Sequence, residues 1–239
     1  MEFFAIQWLQ DIPPVTRAYV VCSTGLSVAE YFGYVEVSDF ILNPNNSLNL
    51  KQVFLNTLYN GPISMNFCTK LYLFSRYSNW VEVFINSPKN YLWMILILIT
   101  SINLYSKYII NLSLIGPVLK ETILYIWSRN HADDEIFFTL ISLRACWIPW
   151  VTYFITIALN TRRDPNQWKS ALSSIIIGHL YWFLNDELPK LHGSKSFLRP
   201  VWEWNYIQQI SNIISRIKEY YLFKHNDPPR IQHLREQRD

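Results

Sequence analysis

The chain has 239 residues, of which 50% are hydrophobic, 16% aromatic and 16% charged, with a formal net charge of +3. An ordinary soluble domain has about 25% charged residues, so this composition indicates a membrane protein, and no nucleic-acid partner is expected. The cysteines are three in number and lie in apolar segments, which argues against a disulfide framework, and no Cys/His spacing predicts a metal site.

The N-terminal region predicts a short surface piece followed by a weak first membrane helix. Residues 1–10 are amphipathic, and the two prolines that follow end this piece without the basic and apolar pattern of a cleavable signal sequence. The first span covers residues 18–35 and contains Glu30, so it barely meets the roughly 20 residues that a bilayer requires. The loop 36–55 carries Asn45, a glycosylation acceptor if this loop is lumenal.

Five further spans are predicted along the chain. They cover residues 57–77, 91–105, 112–127, 145–159 and 174–184. The second span contains Asn66 and Lys70, and the fourth carries Lys120 and Glu121 where hydrocarbon is expected. Pro149 lies inside the fifth span, where neighbouring helices are expected to satisfy the freed backbone groups. A loop is predicted over residues 128–144.

The sixth span has a polar centre. Ser174 and Gly178 are four residues apart, so they share one helix face and form a small-residue patch for close helix packing. His179 follows directly, and an ionisable side chain at membrane depth usually faces a bundle interior or a wet cavity. A neutral histidine hydrogen-bonded inside the bundle is the structural alternative.

The distribution of Lys and Arg places both termini in the cytosol, because the predicted cytosolic segments carry more of these residues. Two regions are therefore expected, a membrane domain over 1–189 and a cytosolic region over 190–239. Residues 206–223 predict an amphipathic helix that is too polar to span, and residues 227–239 predict a disordered charged tail.

Six collinear blocks of the sequence resemble the Derlin family. They are IPPVTRAY (12–19), Gly61-Pro62 with Asn66-Phe67, LFSRY (73–77), YIWSR (125–129), IPWV (148–151) and GHLYWFL (178–184). The positions that carry the motifs or their packing are Pro13, Pro14, Thr16, Arg17, Gly61, Pro62, Arg76, Trp127, Pro149, Trp150, Ser174 and Gly178.

The resemblance implies an all-α, rhomboid-like bundle of six transmembrane helices without protease activity, in the endoplasmic reticulum membrane. The implied function is retrotranslocation of misfolded client polypeptides for ubiquitin-proteasome degradation, with no cofactor and no catalytic residue. The implied partners are a membrane RING ubiquitin ligase with its lumenal receptor subunits and an AAA ATPase. The region after Gly193 contains no glycine, so the glycine-bearing box that binds the ATPase directly is absent and recruitment is expected through the ligase. Homo- or hetero-oligomers are left open.

A mechanism follows as a hypothesis from the short and polar spans. A bundle with a short hydrophobic belt thins the lipid bilayer around it. Asn66, Lys70 and His179 would line a wet cavity along the substrate path, and the water there would lower the cost of moving polar backbone through the membrane.

Three other functions are weighed. An active rhomboid protease needs a serine in span four for the histidine of span six, but that region reads Ser113-Leu114-Ile115-Gly116-Pro117 without Gly-x-Ser-Gly. A solute transporter would show inverted repeats, and none is convincing. Protein import at a plastid-bounding membrane, a role of some Derlin relatives, stays open.

Overall fold

A computed structural model describes residues 10–39, 41, 50–112, 114–138, 141–160, 167–192 and 196–203 of the chain. The chain divides into two units, residues 1–194 and 195–239. In the second unit, the described residues contain one 3-10 turn, Val201–Glu203. Four predictions lie outside the described residues: the amphipathic N-terminal piece (residues 1–9 of 1–10), the glycosylation acceptor Asn45, the amphipathic helix 206–223 and the charged tail 227–239.

The first unit is built mainly from helices, which confirms the predominance of helix expected from the sequence. We number them in chain order as α1 (Pro14–Tyr31), α2 (Leu50–Leu58), α3 (Met65–Ile85), α4 (Pro88–Tyr108), α5 (Ile115–Asn130), α6 (Ile148–Asn160), α7 (Gln167–Trp182) and α8 (Leu188–His192). A π-helical turn, Phe183–Glu187, joins α7 to α8. Two short antiparallel strands, β1 (Glu135–Phe138) and β2 (Ile141–Arg144), lie between α5 and α6.

Three boundaries differ from the prediction. The predicted loop 128–144 is replaced by the last turn of α5 and the β1–β2 hairpin, whose aromatic and β-branched residues favour strand. The predicted span 57–77 is broken, because α2 ends at Leu58 and α3 begins at Met65. Pro149 is the second residue of α6 and not an interior residue, and in a first turn the missing N–H has no helical partner to lose.

In the part of the chain that the structure describes, no helix combines the length and the apolar character needed to cross a membrane. The number of six spans and the cytosolic position of both termini stay predictions.

Helix α5 occupies the centre of the unit, where it contacts α2, α3, α4, α6 and α7. Its fully buried side chains include Ile115, Leu119, Ile123, Ile126 and Trp127. The N-cap residue of α5, Leu114, makes no side-chain cap. Instead, Asn56 at the end of α2 accepts a hydrogen bond from the Ile115 N–H through its Oδ1 atom.

The start of α5 lies directly against the backbone that ends α2. An ideal Cβ on Gly116 would lie 2.9 Å from the carbonyl oxygens of both Thr57 and Tyr59. Because these are backbone atoms of a packed segment, only a glycine fits at this position. The same segment is held to α1, since the Tyr19 hydroxyl donates to the Thr57 carbonyl at 2.9 Å.

A second helix start is also capped from a distant part of the chain. Pro13, the N-cap residue of α1, makes no side-chain cap. The carboxylate of Glu82 in α3 accepts from the N–H of Val15 at 3.0 Å and from the N–H of Thr16 at 2.8 Å. It also accepts from the Thr16 hydroxyl at 2.7 Å. Glu82 is 3% exposed, and a negative group suits the positive end of the α1 dipole.

This contact continues into α4 as a chain of buried hydroxyls. The Thr16 and Ser78 hydroxyl oxygens are 2.7 Å apart, and those of Ser78 and Tyr91 are 2.6 Å apart. A carboxylate only accepts, so the Thr16 hydrogen points at Glu82 and the Thr16 oxygen accepts from Ser78. Ser78 must then accept from Tyr91. The four residues, Thr16, Ser78, Glu82 and Tyr91, form what we call the hydroxyl chain, and it joins α1, α3 and α4.

We predict that Gly116→Ala destabilises the protein strongly and Gly25→Ala does not. A methyl group at Gly116 meets backbone oxygens, and overpacking of this kind costs about 1–3 kcal/mol. Gly25 lies inside α1 with nothing within 4 Å of its ideal Cβ, so alanine there should stabilise the helix by up to about 1 kcal/mol. Thermal unfolding of both variants in detergent micelles measures the difference, and equal shifts would contradict the packing described.

We also predict that Glu82→Gln lowers the free energy of unfolding by on the order of 3 kcal/mol. Both carboxylate oxygens of Glu82 accept hydrogen bonds. In glutamine one of them is replaced by an NH2 group, which would face a donor of Val15 or Thr16. The control is Glu187→Gln, which removes a half-exposed ion pair with Lys190 at 3.8 Å and should cost less than about 1 kcal/mol. Chemical denaturation of the two variants gives the comparison, and a change for Glu82→Gln as small as the control would disprove the capping role.

Candidate functional site

A row of polar contacts joins α5 to α7. Glu121 and Tyr125 are four residues apart on α5 and therefore share a face. On α7, the Ser174 hydroxyl donates to Glu121 Oε2 at 3.1 Å, and one turn later His179 Nδ1 lies 2.9 Å from the Tyr125 hydroxyl oxygen. Either partner of the Tyr125–His179 bond can be the donor, depending on the histidine tautomer.

The small residues of α7 allow this contact. An ideal Cβ on Gly178 would lie 2.9 Å from Cδ1 and 3.0 Å from Cβ of Tyr125. Ser174 is 2% exposed, and its backbone carbonyl is 3.4 Å from the Thr122 hydroxyl. The two helices therefore approach each other along the face formed by Ser174 and Gly178.

A cavity borders the same face between α5, α6 and α7. Its lining residues are Glu121, Leu124, Pro149, Thr152, Tyr153, Ala171, Ser174 and Ile175. Glu121 supplies the carboxyl group in this lining, and Thr152, Tyr153 and Ser174 supply hydroxyls. Lys70 and His179, both predicted to line a wet cavity, are not among the lining residues.

The three residues predicted to line the substrate path lie on two helices. Asn66 and Lys70 are in the first turns of α3, and His179 is in α7. Lys70 is exposed, and its charge acts on both Lys120 and Glu121 of α5. His179 is exposed, and its Nδ1 atom makes the hydrogen bond with the Tyr125 hydroxyl. The side chain of Asn66 is outside what the structure describes. The predicted path residues thus lie on two helices, α3 and α7, that both contact α5.

Two motif residues, Arg76 and Trp127, lie in one aromatic cluster near the end of α5. The guanidinium of Arg76 is 5.2 Å from the ring centroid of Trp80, which in turn is 5.2 Å from that of Trp127. Trp127 is fully buried and stacks on His131 at 5.5 Å. A second arginine–tryptophan contact joins α5 to α7, where the guanidinium of Arg129 lies 4.3 Å from the ring centroid of Trp182.

The other motif residues shape turns and helix ends. Arg17 donates to the Ile12 carbonyl through Nε at 3.1 Å and through Nη2 at 2.8 Å, and so fastens the Pro13-Pro14 turn. Gly61 has a φ of +97°, in the left-handed region that favours glycine, and its carbonyl accepts from Ser27 of α1 at 3.0 Å. Trp150 is 39% exposed on α6.

The sequence does not single out Glu82, and it predicts a wet cavity at Asn66, Lys70 and His179 instead of the one beside Glu121. Glu82 follows the predicted second span, 57–77, where its own position does not indicate that the residue is only 3% exposed. A signal existed in the pair Ser78 and Glu82, four residues apart and on one helix face, but their partners are more than 60 residues away along the chain. Among the described residues, no group of three His, Cys, Asp or Glu side chains is placed to hold a metal ion.

The sequence matches one family model and several known proteins over most of its length. A model of the Der1-like family matches residues 12–201. The chain is 25% identical to the probable derlin-2 homolog of Dictyostelium discoideum over 205 residues, covering 81% of this chain and 79% of that protein. It is 26% identical to Derlin-1 of Arabidopsis thaliana (82% and 74% covered) and 24% identical to Derlin-1.2 of Zea mays (82% of both covered).

For the α5–α7 contact we predict that Gly178→Ala destabilises the protein more than Tyr125→Phe. The added methyl group meets the Tyr125 side chain near its fixed base, at a cost of about 1–3 kcal/mol. Tyr125→Phe keeps the ring and loses one hydrogen bond to an exposed histidine, which costs about 1 kcal/mol or less. Thermal unfolding ranks the two variants, and the reverse order would mean that the hydrogen bond holds the helices together.

Proposed function

The chain belongs to the Der1-like family, as the sequence motifs indicated, and we propose on this basis that it serves in the degradation associated with the endoplasmic reticulum. The specific role proposed is retrotranslocation, the movement of misfolded polypeptides out of the membrane toward the proteasome. The observation that carries the proposal is the family match over residues 12–201, which includes helices α1 to α8.

The proposal places the first unit in the endoplasmic reticulum membrane as a multi-pass bundle. Large apolar side chains on the outside of several helices support this placement. They include Val83, Phe84, Leu96, Leu104 and Phe154, each at least 50% exposed. An apolar exterior of this kind marks contact with lipid or with another protein. Both termini would be cytosolic.

The proposal assigns no catalysis to the chain. In a rhomboid protease a histidine of the sixth span activates a serine of the fourth, and here His179 has the phenol of Tyr125 on α5 as its partner. The predicted fourth span has no Gly-x-Ser-Gly sequence, so it does not supply the serine nucleophile that such a histidine would activate. The partner pair therefore supports a role in contact between helices.

The partners proposed are the membrane RING ubiquitin ligase with its lumenal receptor subunits, an AAA ATPase reached through the ligase, and client polypeptides. Client segments would pass beside α5, next to Lys70 of α3 and His179 of α7. Polar groups at membrane depth would retain water there and lower the cost of passing a peptide backbone.

We predict that the triple variant Asn66→Leu, Lys70→Leu and His179→Leu folds but slows client degradation several-fold. Removing the three polar groups removes the sites that retain water, while Lys70 and His179 are exposed and bury little. The half-life of a misfolded client in cells that carry only the variant is the measurement. The matched control is Lys89→Leu, which removes an exposed lysine at the start of α4.

A client half-life equal to that in wild-type cells would refute the proposed path. The function itself is tested by crosslinking in native membranes with the wild-type chain as bait. Recovery of a RING ligase together with a client supports retrotranslocation. Recovery of import precursors without ligase would replace the proposal with protein import.

A further inference from the structure

The cavity between α5, α6 and α7 is lined by Glu121 and by three hydroxyls, those of Thr152, Tyr153 and Ser174. The Tyr153 hydroxyl can accept or donate, whereas the hydrogens of the other two are already used. The Ser174 hydroxyl has one hydrogen, which is shared between the Ala171 carbonyl at 2.7 Å and Glu121 Oε2 at 3.1 Å. The Thr152 hydroxyl hydrogen is likewise directed to the carbonyls of Ile148 at 3.0 Å and Pro149 at 2.9 Å. Both hydroxyl oxygens line the cavity and retain lone pairs that can accept a hydrogen bond.

Glu121 adds a carboxylate to these acceptors. In the described part of the chain the one ion pair is Lys190–Glu187, so no lysine or arginine nitrogen of these residues lies within 4 Å of Glu121. Lys70 and Lys120 act on this carboxylate from a distance, but neither lines the cavity. Glu121 is therefore the acidic group that a ligand entering the cavity would contact. A partly buried carboxylate with one hydroxyl donor is stabilised by a further donor, and most of all by a cation.

The size of the cavity narrows the choice of ligand. It leaves room for about one water molecule and is partly open to the outside. A lysine ammonium is a compact group with three donors and no acceptor, carried on a thin and flexible stem. The planar guanidinium of arginine is larger, and a carboxylate or phosphate would lie against the Glu121 carboxylate. The donor count and the size both match a primary ammonium group.

We propose that the cavity beside Glu121 binds the ε-ammonium group of a lysine in a membrane-embedded segment of a client polypeptide. The identity of the client rests on the proposed function; the ammonium site does not. A lysine at membrane depth is costly in lipid, so a folded protein seldom leaves one unpaired there. A site that pairs such a lysine would distinguish misassembled membrane segments from correctly assembled ones.

The first experiment measures binding without degradation. The full chain is placed in lipid nanodiscs and titrated with a leucine-rich membrane peptide that carries Lys, Met or Glu at its centre. The wild-type protein should bind the Lys peptide about three- to tenfold more tightly than the Met peptide, the range expected for polar contacts within a membrane. Glu121→Gln keeps the size of the side chain and should abolish this preference, while Glu187→Gln should keep it.

A charge exchange tests the same contact in the other direction. Glu121→Lys should transfer the preference from the Lys peptide to the Glu peptide. Equal binding of the Lys and Met peptides by the wild-type protein would overturn the proposal, as would a loss of affinity in Glu121→Gln that is the same for both. The second result would mean that the cavity holds water and only supports packing.

Degradation of matched clients in cells separates this proposal from the proposed function. If the chain accelerates the loss of both the Lys and the Met client relative to cells without it, and Glu121→Gln slows only the Lys client, both proposals stand. If no client depends on the chain while the nanodisc preference holds, retrotranslocation is disproved and the ammonium site remains.

Discussion

The rest of the unit depends on two tight contacts of α5, one with the backbone that follows α2 and one with α7. Gly116 admits the carbonyls of Thr57 and Tyr59 at one end, and Gly178 of α7 admits Tyr125 near the other. Between these points Val118, Leu119 and Ile123 of α5 are at most 1% exposed. With α5 fixed, the turn after α2, the α5–α7 contact and the cavity at Glu121 take their positions from it.

Two helices, α1 and α5, are capped by side chains of other helices, and these caps help to determine how the helices are oriented. Leu114 and Pro13 offer no side-chain cap, and Asn56 and Glu82 provide one from helices distant in the sequence. A side chain that caps another helix fixes both the axial position and the rotation of the two elements, which apolar packing alone does less strictly. The polar groups buried in this unit therefore define the arrangement of its helices more than they add to its apolar core.

The parts of the structure that could be predicted are those determined locally. Apolar runs and the Derlin motifs located most of the helices, and the four-residue spacing of Ser174 and Gly178 placed them on one face. The position of Pro149 in the first turn of α6 and the β1–β2 hairpin depended on where a helix stops, which composition does not determine. The hydroxyl chain and the cavity depended on partners from separate helices, up to 67 residues apart for Val15 and Glu82, and no local pattern indicates such pairs.

The direction of hydrogen bonding in the hydroxyl chain has a consequence for how the family can vary. Each of Tyr91, Ser78 and Thr16 donates to the next, and Glu82 ends the series. Replacing one member alone leaves a buried donor or acceptor without its partner. Exchanging two bonded members for apolar residues of similar shape removes the donor and the acceptor together. Substitutions at these four positions should therefore be inherited jointly, and a relative that has lost the acid should also have lost its threonine.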